Sequence, residues 1–429
     1  MDRRHFLVGA AGVIGVGAAG AIAAETEQIP LTRPRPAVYL VPGYRSDLAH
    51  YRGRPASESP ELRRQFPAGY EGPATLITRI DEADGSARRA LMPIQAHAIT
   101  VRSGGGLAVW NSMQGKTLLT FDPTSLELGS VSGFAGEEIV GGGHAVFTPD
   151  GRQVILTERK QRDAYSGRPA DHYGQITIRD PETLQTLEVF STHGMSPHDL
   201  ALFADGKHVA IANYGSFVAN GGWRPLVQEP CLTILELASG RLVEKLRPPD
   251  TTAELRHLAA SRFDRLAAVL VRRGALEEEE ALLTDRSEVY EADASSFDEG
   301  VYLPGPLIRF DATVRPVMAT LASPRDELLA RQAQSMVYDA EADEVIVTFT
   351  SSHAVGVFDG ARGQVKRMIR TDGLGLRYPR GVALHPDGIH YAVSGSWRDL
   401  FLFRRGTHEV DAGRRIHAVL FEHSHLSIS

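Results

Sequence analysis

Three features of the 429-residue chain predict an all-β fold, a seven-bladed β-propeller whose ring is closed by pairing N- and C-terminal strands. Short alternating strands come in pairs around turns rich in Asp and Gly. The paired unit returns at intervals of about 40–80 residues. Long helical periodicity is almost absent.

The first 23 residues stand apart from that pattern. MDRRHFLVGAAGVIGVGAAGAIAA carries Arg3-Arg4, then Phe6-Leu7, then a weakly apolar Gly/Ala run with small residues before a cleavage point after Ala23. This reads as a twin-arginine signal peptide, so the mature protein is expected in the periplasm. Residues 24–36 read as a linker, and 37–429 as one propeller domain.

Six hairpins follow one another: QAHAITVRSGGGLAVWN from Gln95, GGHAVFTPDGRQVILTE from Gly142, SPHDLALFADGKHVAIAN from Ser196, LRHLAASRFDRLAAVLV from Leu255, AQSMVYDAEADEVIVTF from Ala333 and PRGVALHPDGIHYAVSG from Pro379. The first five are each followed by a second strand pair, such as QITIRDPETLQTLEVF or AVGVFDGARGQVKRMI, giving four antiparallel strands per blade. The seventh blade is assembled from AVYLVPGYRS, ATLITRIDEADGSARRALMPI and the C-terminal RIHAVLFEHS from Arg415, which removes the exposed sheet edges. Two insertions, 46–73 and 274–305, interrupt the pattern; the acidic run 277–280 in the second reads as a solvated helix start.

Composition narrows the function. Hydrophobic residues at 42% supply a substantial core, and a formal charge of −7 argues against a nucleic-acid partner. The single cysteine, Cys231, rules out an internal disulfide, a CxxC motif and covalent c-type haem. No phosphate-binding loop or nucleophile elbow is present, and no segment of the mature chain has the apolar length of a membrane helix.

The chemistry concentrates at one repeated position. Just before the first strand of successive blades stand His97, His144, His198, His257, Gln334, Arg380 and His417. Innermost strands line the channel of a propeller, so equivalent positions form a ring about its axis. A lone histidine there is usually a structural brace between blades. Five together make a transition-metal site of neutral imidazoles, for iron or copper with zinc also open. Gln334 and Arg380 would contact whatever binds the metal. Second-strand ends bring Asn111, Glu158, Arg159, Asn213, Tyr214 and Trp397 near the same mouth. Of these Glu158 is a candidate extra ligand or proton acceptor, and Tyr214 a wall or donor. His385 reads as turn chemistry and His423/His425 as a frayed tail pair. The long loop 165–173 reads as a lid over the channel mouth or a free surface loop.

The twin-arginine start, GGGHAVFTPDG, SPHDLALFADGKHVAIANYG and YPRGVALHPDG resemble the DUF1513 family of bacterial exported proteins over essentially the whole mature chain. That resemblance implies a periplasmic seven-bladed propeller of the YVTN/lactonase-like type. It also implies a role in iron acquisition beside imelysin-like and di-haem peroxidase-like exported proteins as partners. It supplies no site residues. A looser similarity is to the propeller of nitrous-oxide reductase, which holds copper with histidines, although the cysteine-rich copper domain has no counterpart here. Three functions follow as expectations: a metal or small-ligand binder at the channel mouth, a lactonase-like hydrolase, and a non-catalytic protein-interaction scaffold.

Overall fold

In the computed structural model, the described residues are 36–45, 50–51, 54–66, 70, 72–95, 97–162, 164–217, 226–261, 265–274, 301–305, 307–311, 314–395, 398–419 and 425–429. Residues Arg35–Ser429 form one compact unit. Seven antiparallel sheets, each with a four-strand meander, make up its blades.

Blade 1 runs Ile99–Val101, Ala108–Asn111, Thr117–Phe121 and Leu128–Gly133 from inside to outside. Blades 2 to 6 begin with the inner strands Ile139–Phe147, Pro197–Leu202, Glu254–Ala260, Ala333–Asp339 and Pro379–Leu384. The expected hairpin turns form where PDG, ADG and PDG close them. Gly151, Gly206 and Gly388 sit at φ of 68°, 64° and 69°, backbone that a side chain disfavours. Second strands such as Val154–Lys160 and Glu344–Phe349 are buried along nearly their whole length, because each is covered by a blade on both faces.

The core is distributed. Seven hydrophobic clusters lie one at each junction between successive blades, for example Leu40, Met92, Ile99, Trp110 and Phe121 between blades 7 and 1. Burial at about 25 cal/mol per Å2 therefore stabilises the ring only when every blade has both neighbours.

Ring closure differs from expectation. Ile416–Val419, in the segment expected to close the ring, is the outermost strand of blade 6, paired with Arg398–Arg404. The innermost strand of blade 7 is instead Ser427–Ile428, which pairs with Val38–Arg45. The C-terminal residues therefore sit at the centre of the ring, not in a frayed tail. On the outer side, Glu82 of blade 7 bonds His385 of blade 6 at 3.0 Å and pairs with Arg414, tying the two ends together. Residues 275–300, including the acidic run, lie outside the described residues, as do Trp397 and His423. Among the described residues no helix is long and apolar enough to cross a membrane.

Candidate metal centre

The inner strands of blades 2 to 6 share a register shift against their second strands. In blade 3, Pro197 pairs with Asn213 and Asp199 with Ala212, leaving His198 as the extra residue of a β-bulge. Blades 4, 5 and 6 shift register at Arg256, at Gln334 and at Arg380-Gly381. The bulge corrects one expectation: the counterpart of His198 in blade 4 is Arg256. His257 pairs with Val269 and shares its register with Asp199 and Ser335.

Five imidazoles meet at this level: His97, His144, His198, His257 and His425, each buried. His425 comes from two residues before the closing strand. One ligand atom from each of His97, His144, His198 and His425 lies within 4.8 Å of all the others. Nε2 of His97 is 3.2 Å from Nε2 of His198 and 3.2 Å from Nε2 of His425. For tetrahedral coordination at 2.0–2.1 Å, ligating nitrogens stand about 3.3 Å apart, so the observed spacing fits a shared cation.

Hydrogen bonds fix which nitrogens are free to ligate. Nδ1 of His198 lies 2.7 Å from the Gly142 carbonyl, which can only accept, so Nδ1 carries the proton and Nε2 the lone pair. Nδ1 of His144 lies 3.0 Å from an Asp199 oxygen. Burial alone would raise the Asp199 carboxyl, but His144 and His257 hold it well below the usual range. Asp199 is thus ionised and His144 also donates from Nδ1. The buried Nε2 of His144 has no hydrogen-bond partner among the described residues. A metal-binding histidine is commonly oriented in this way, one nitrogen held by a carbonyl or carboxylate and the other presented to the metal.

Asp199 has no capacity left over. One oxygen accepts from the Leu200 amide at 2.8 Å and faces His144; the other accepts from the Leu258 amide at 3.2 Å and faces His257 at 3.4 Å. It orients two imidazoles. Burial, followed by the neighbouring imidazoles, holds His198 and His425 well below the ordinary histidine value; burial likewise holds His257 down to about 4, against the pull of Asp199. These rings are neutral at pH 7, as ligation requires. A cavity of about 450 Å3 reaches His144, Asp199, His257 and His425, between Thr100, Ser335, Val382 and Ser427.

The other sequence-expected residues divide. Arg380 is buried and Gln334 half-buried at the same ring level. Tyr214 packs edge-on against His198 with ring centres 4.7 Å apart, and the Arg159 guanidinium lies 4.2 Å from the centre of the Tyr214 ring. Three do not join the cluster. Glu158 is held inside blade 2 by Arg179 at 2.9 Å, Thr177 at 2.6 Å and Gln175 at 2.7 Å, in a buried ion pair, and its carboxylate is not grouped with the imidazoles. Asn213 braces its own sheet, donating to Thr233 Oγ1 at 3.0 Å. His417 sits on the outermost strand of blade 6, 73% exposed and paired with Asp399. His385 is buried in the junction between blades 6 and 7. The loop after Lys160 packs down, the His172 ring tilted against Tyr165 and edge-on to Phe217.

The sequence reading missed His425 and Asp199. Aligning the Leu-Ala of SPHDLALF with that of LRHLAAS puts Asp199 opposite His257, so this signal was available. His425 was hidden because LSIS is too short to announce itself as a strand.

Fold and cluster together define a β-propeller with a buried, histidine-rich site in its central channel. The chain belongs to the DUF1513 family, described as a protein of unknown function, which it matches over residues 90–396. Among solved structures it is similar to Kuenenia stuttgartiensis hydrazine synthase at 12% identity and a TM-score of 0.54, over 78% of this chain and 92% of that one, a likeness of fold alone. No curated protein matches it in sequence.

Proposed function

We propose that this protein is a periplasmic metal carrier or metal-dependent receptor that holds one first-row transition ion at the histidine cluster, in iron or copper handling. The observation that carries the reading is the pair of oriented imidazoles. His198 and His144 each have Nδ1 held by an oxygen, and the buried Nε2 of His144 has no hydrogen-bond partner among the described residues. Packing alone leaves that buried nitrogen unsatisfied, whereas a borderline cation shared with the neighbouring imidazoles satisfies it. The twin-arginine signal supports periplasmic residence, and the family resemblance supports the link to iron and to imelysin-like or di-haem peroxidase-like partners. A lactonase-like activity is less well supported, because the carboxylate at the cluster, Asp199, is already saturated.

Elemental analysis of protein purified after native export tests the proposal. Stoichiometric iron, copper or zinc is expected in the wild type and is lost in the His144→Ala/His198→Ala variant. Equal metal content in that variant overturns it.

A further inference from the structure

The cavity beside the cluster has a polarity of its own. Its volume is about 450 Å3, and it runs along the inner strands of the channel, past residues 98–100 of blade 1, 335–338 of blade 5 and 382–384 of blade 6. Such a volume lies within the range of small-molecule sites. Ile99, Met336, Val382 and Leu384 give it an apolar wall. His144, Asp199 and His257, which stand together as one group, give it a polar one.

The polar side chains of the lining have mostly spent their hydrogens elsewhere. Thr100 Oγ1 donates to the Ala145 carbonyl at 2.7 Å, Ser427 Oγ to the Ile99 carbonyl and the Tyr338 hydroxyl to Asp343. Nδ1 of His144 and Nδ1 of His257 face Asp199 at 3.0 Å and 3.4 Å. Ser335 Oγ accepts from the Val382 amide at 3.4 Å. What the hydroxyls and Nε2 of His257 keep is lone pairs. Asp199, ionised between two imidazoles, adds a negative charge that no lysine or arginine of the lining offsets. Arg380 bears electrostatically on His425 but is not among the lining residues.

A carboxylate or phosphate brings only lone pairs and negative charge to such a surface. An ammonium brings three N–H donors, a positive charge and no lone pair, the complement on each count. We propose that the cavity is a binding site for a small primary amine, held as its ammonium ion beside Asp199 and the hydroxyls of Thr100, Ser335 and Ser427, with its hydrocarbon part along the apolar wall. Asp199 acts through its charge, since its oxygens already meet two backbone amides and two imidazoles. The site is distinct from the four-imidazole group, with which it shares only His144 and His425, and it needs no metal.

The test is calorimetric titration of the full-length, chelator-stripped protein with n-hexylammonium and, separately, hexanoate, two probes of equal chain length and opposite charge. Saturable binding of hexylammonium is expected, at least about tenfold tighter than that of hexanoate. Asp199→Asn is expected to weaken hexylammonium about tenfold. Met336→Trp, which fills the cavity from blade 5 and leaves the carboxylate in place, is expected to weaken it by at least about as much. Circular dichroism identifies which variants fold, and either one carries the test. Absence of saturable hexylammonium binding overturns the inference. So does a hexanoate affinity within about twofold of it, or an unchanged hexylammonium affinity in a folded variant. Metal does not enter the readout, so a protein that takes up no metal ends the metal-binding reading and leaves the amine site standing.

Discussion

Asp199 is the residue on which the cluster's protonation turns. It holds Nδ1 of His144 and faces Nδ1 of His257 while accepting two backbone amides. Asp199→Asn keeps the shape but loses the charge and offers an amide N–H where a lone pair is required. Metal affinity is expected to fall about 10–100-fold with the fold intact, measured by calorimetry beside circular dichroism. The rings themselves make stability pH-dependent. His198, His257 and His425 are held below their unfolded value near 6.5, so between pH 6.5 and about 4 the unfolded chain binds more protons than the folded one. Their contribution is complete above pH 6.5 and is lost as pH falls toward 4, each ring costing about 1 kcal/mol per pH unit. Urea midpoints of the metal-free protein at pH 7.5, 6 and 5 are expected to fall in that sequence. Legibility at this scale followed neighbours. His97, His144 and His198 were recognisable because each stands at the head of a clear alternating sequence segment, while Asp199 looked like an ordinary strand residue until the bulge register gave it a partner.

At the scale of one element, the inner strand of blade 2 shows why a glycine run precedes the histidine. The run sits inside the strand Ile139–Phe147, not in the turn or joint that its composition suggests. Its backbone is wedged between blades: the Gly142 carbonyl accepts from His198, and a Cβ on Gly141 would stand 2.0 Å from the Ser112 carbonyl oxygen. Gly143 has φ of 104°, and a Cβ there would meet His97 Cδ2 at 2.5 Å. Gly143→Ala is expected to cost about 1–3 kcal/mol in backbone strain and to displace the His97 ring. Urea unfolding reads the first effect, and metal affinity falling below that of wild type reads the second. Hairpins were legible because Asp-Gly turns and alternation are local. The bulges were not, because an extra residue in a ladder is defined only by its partner strand.

Across the whole molecule, the blade count and circular closure were foreseeable from the repeat, but the terminal strand was not. Ile416–Val419 has the better strand composition, and only the two-residue pairing of Ser427–Ile428 on Val38–Arg45 shows which segment seals the ring. That seal is small. It consists of two strand residues, the backbone pair between Ser429 and Val38, Leu426 in the junction cluster, and Ser427 Oγ donating to the Ile99 carbonyl. A metal held by His425 together with His97, His144 and His198 would therefore join blade 7 to blades 1, 2 and 3. Saturating metal is expected to raise the melting temperature of the wild type, as any ligand specific to the folded state does. His425→Ala should abolish that rise, and deleting residues 425–429 should also lower the metal-free melting temperature. Calorimetry of the three proteins with and without metal distinguishes these outcomes.

Because Ser429 follows directly on the sealing strand, a purification handle fused there is not a neutral choice. It would hang from the residue that bonds Val38 at both its amide and its carbonyl, four positions after His425. Preparations tagged at that end are expected to hold less metal than untagged protein.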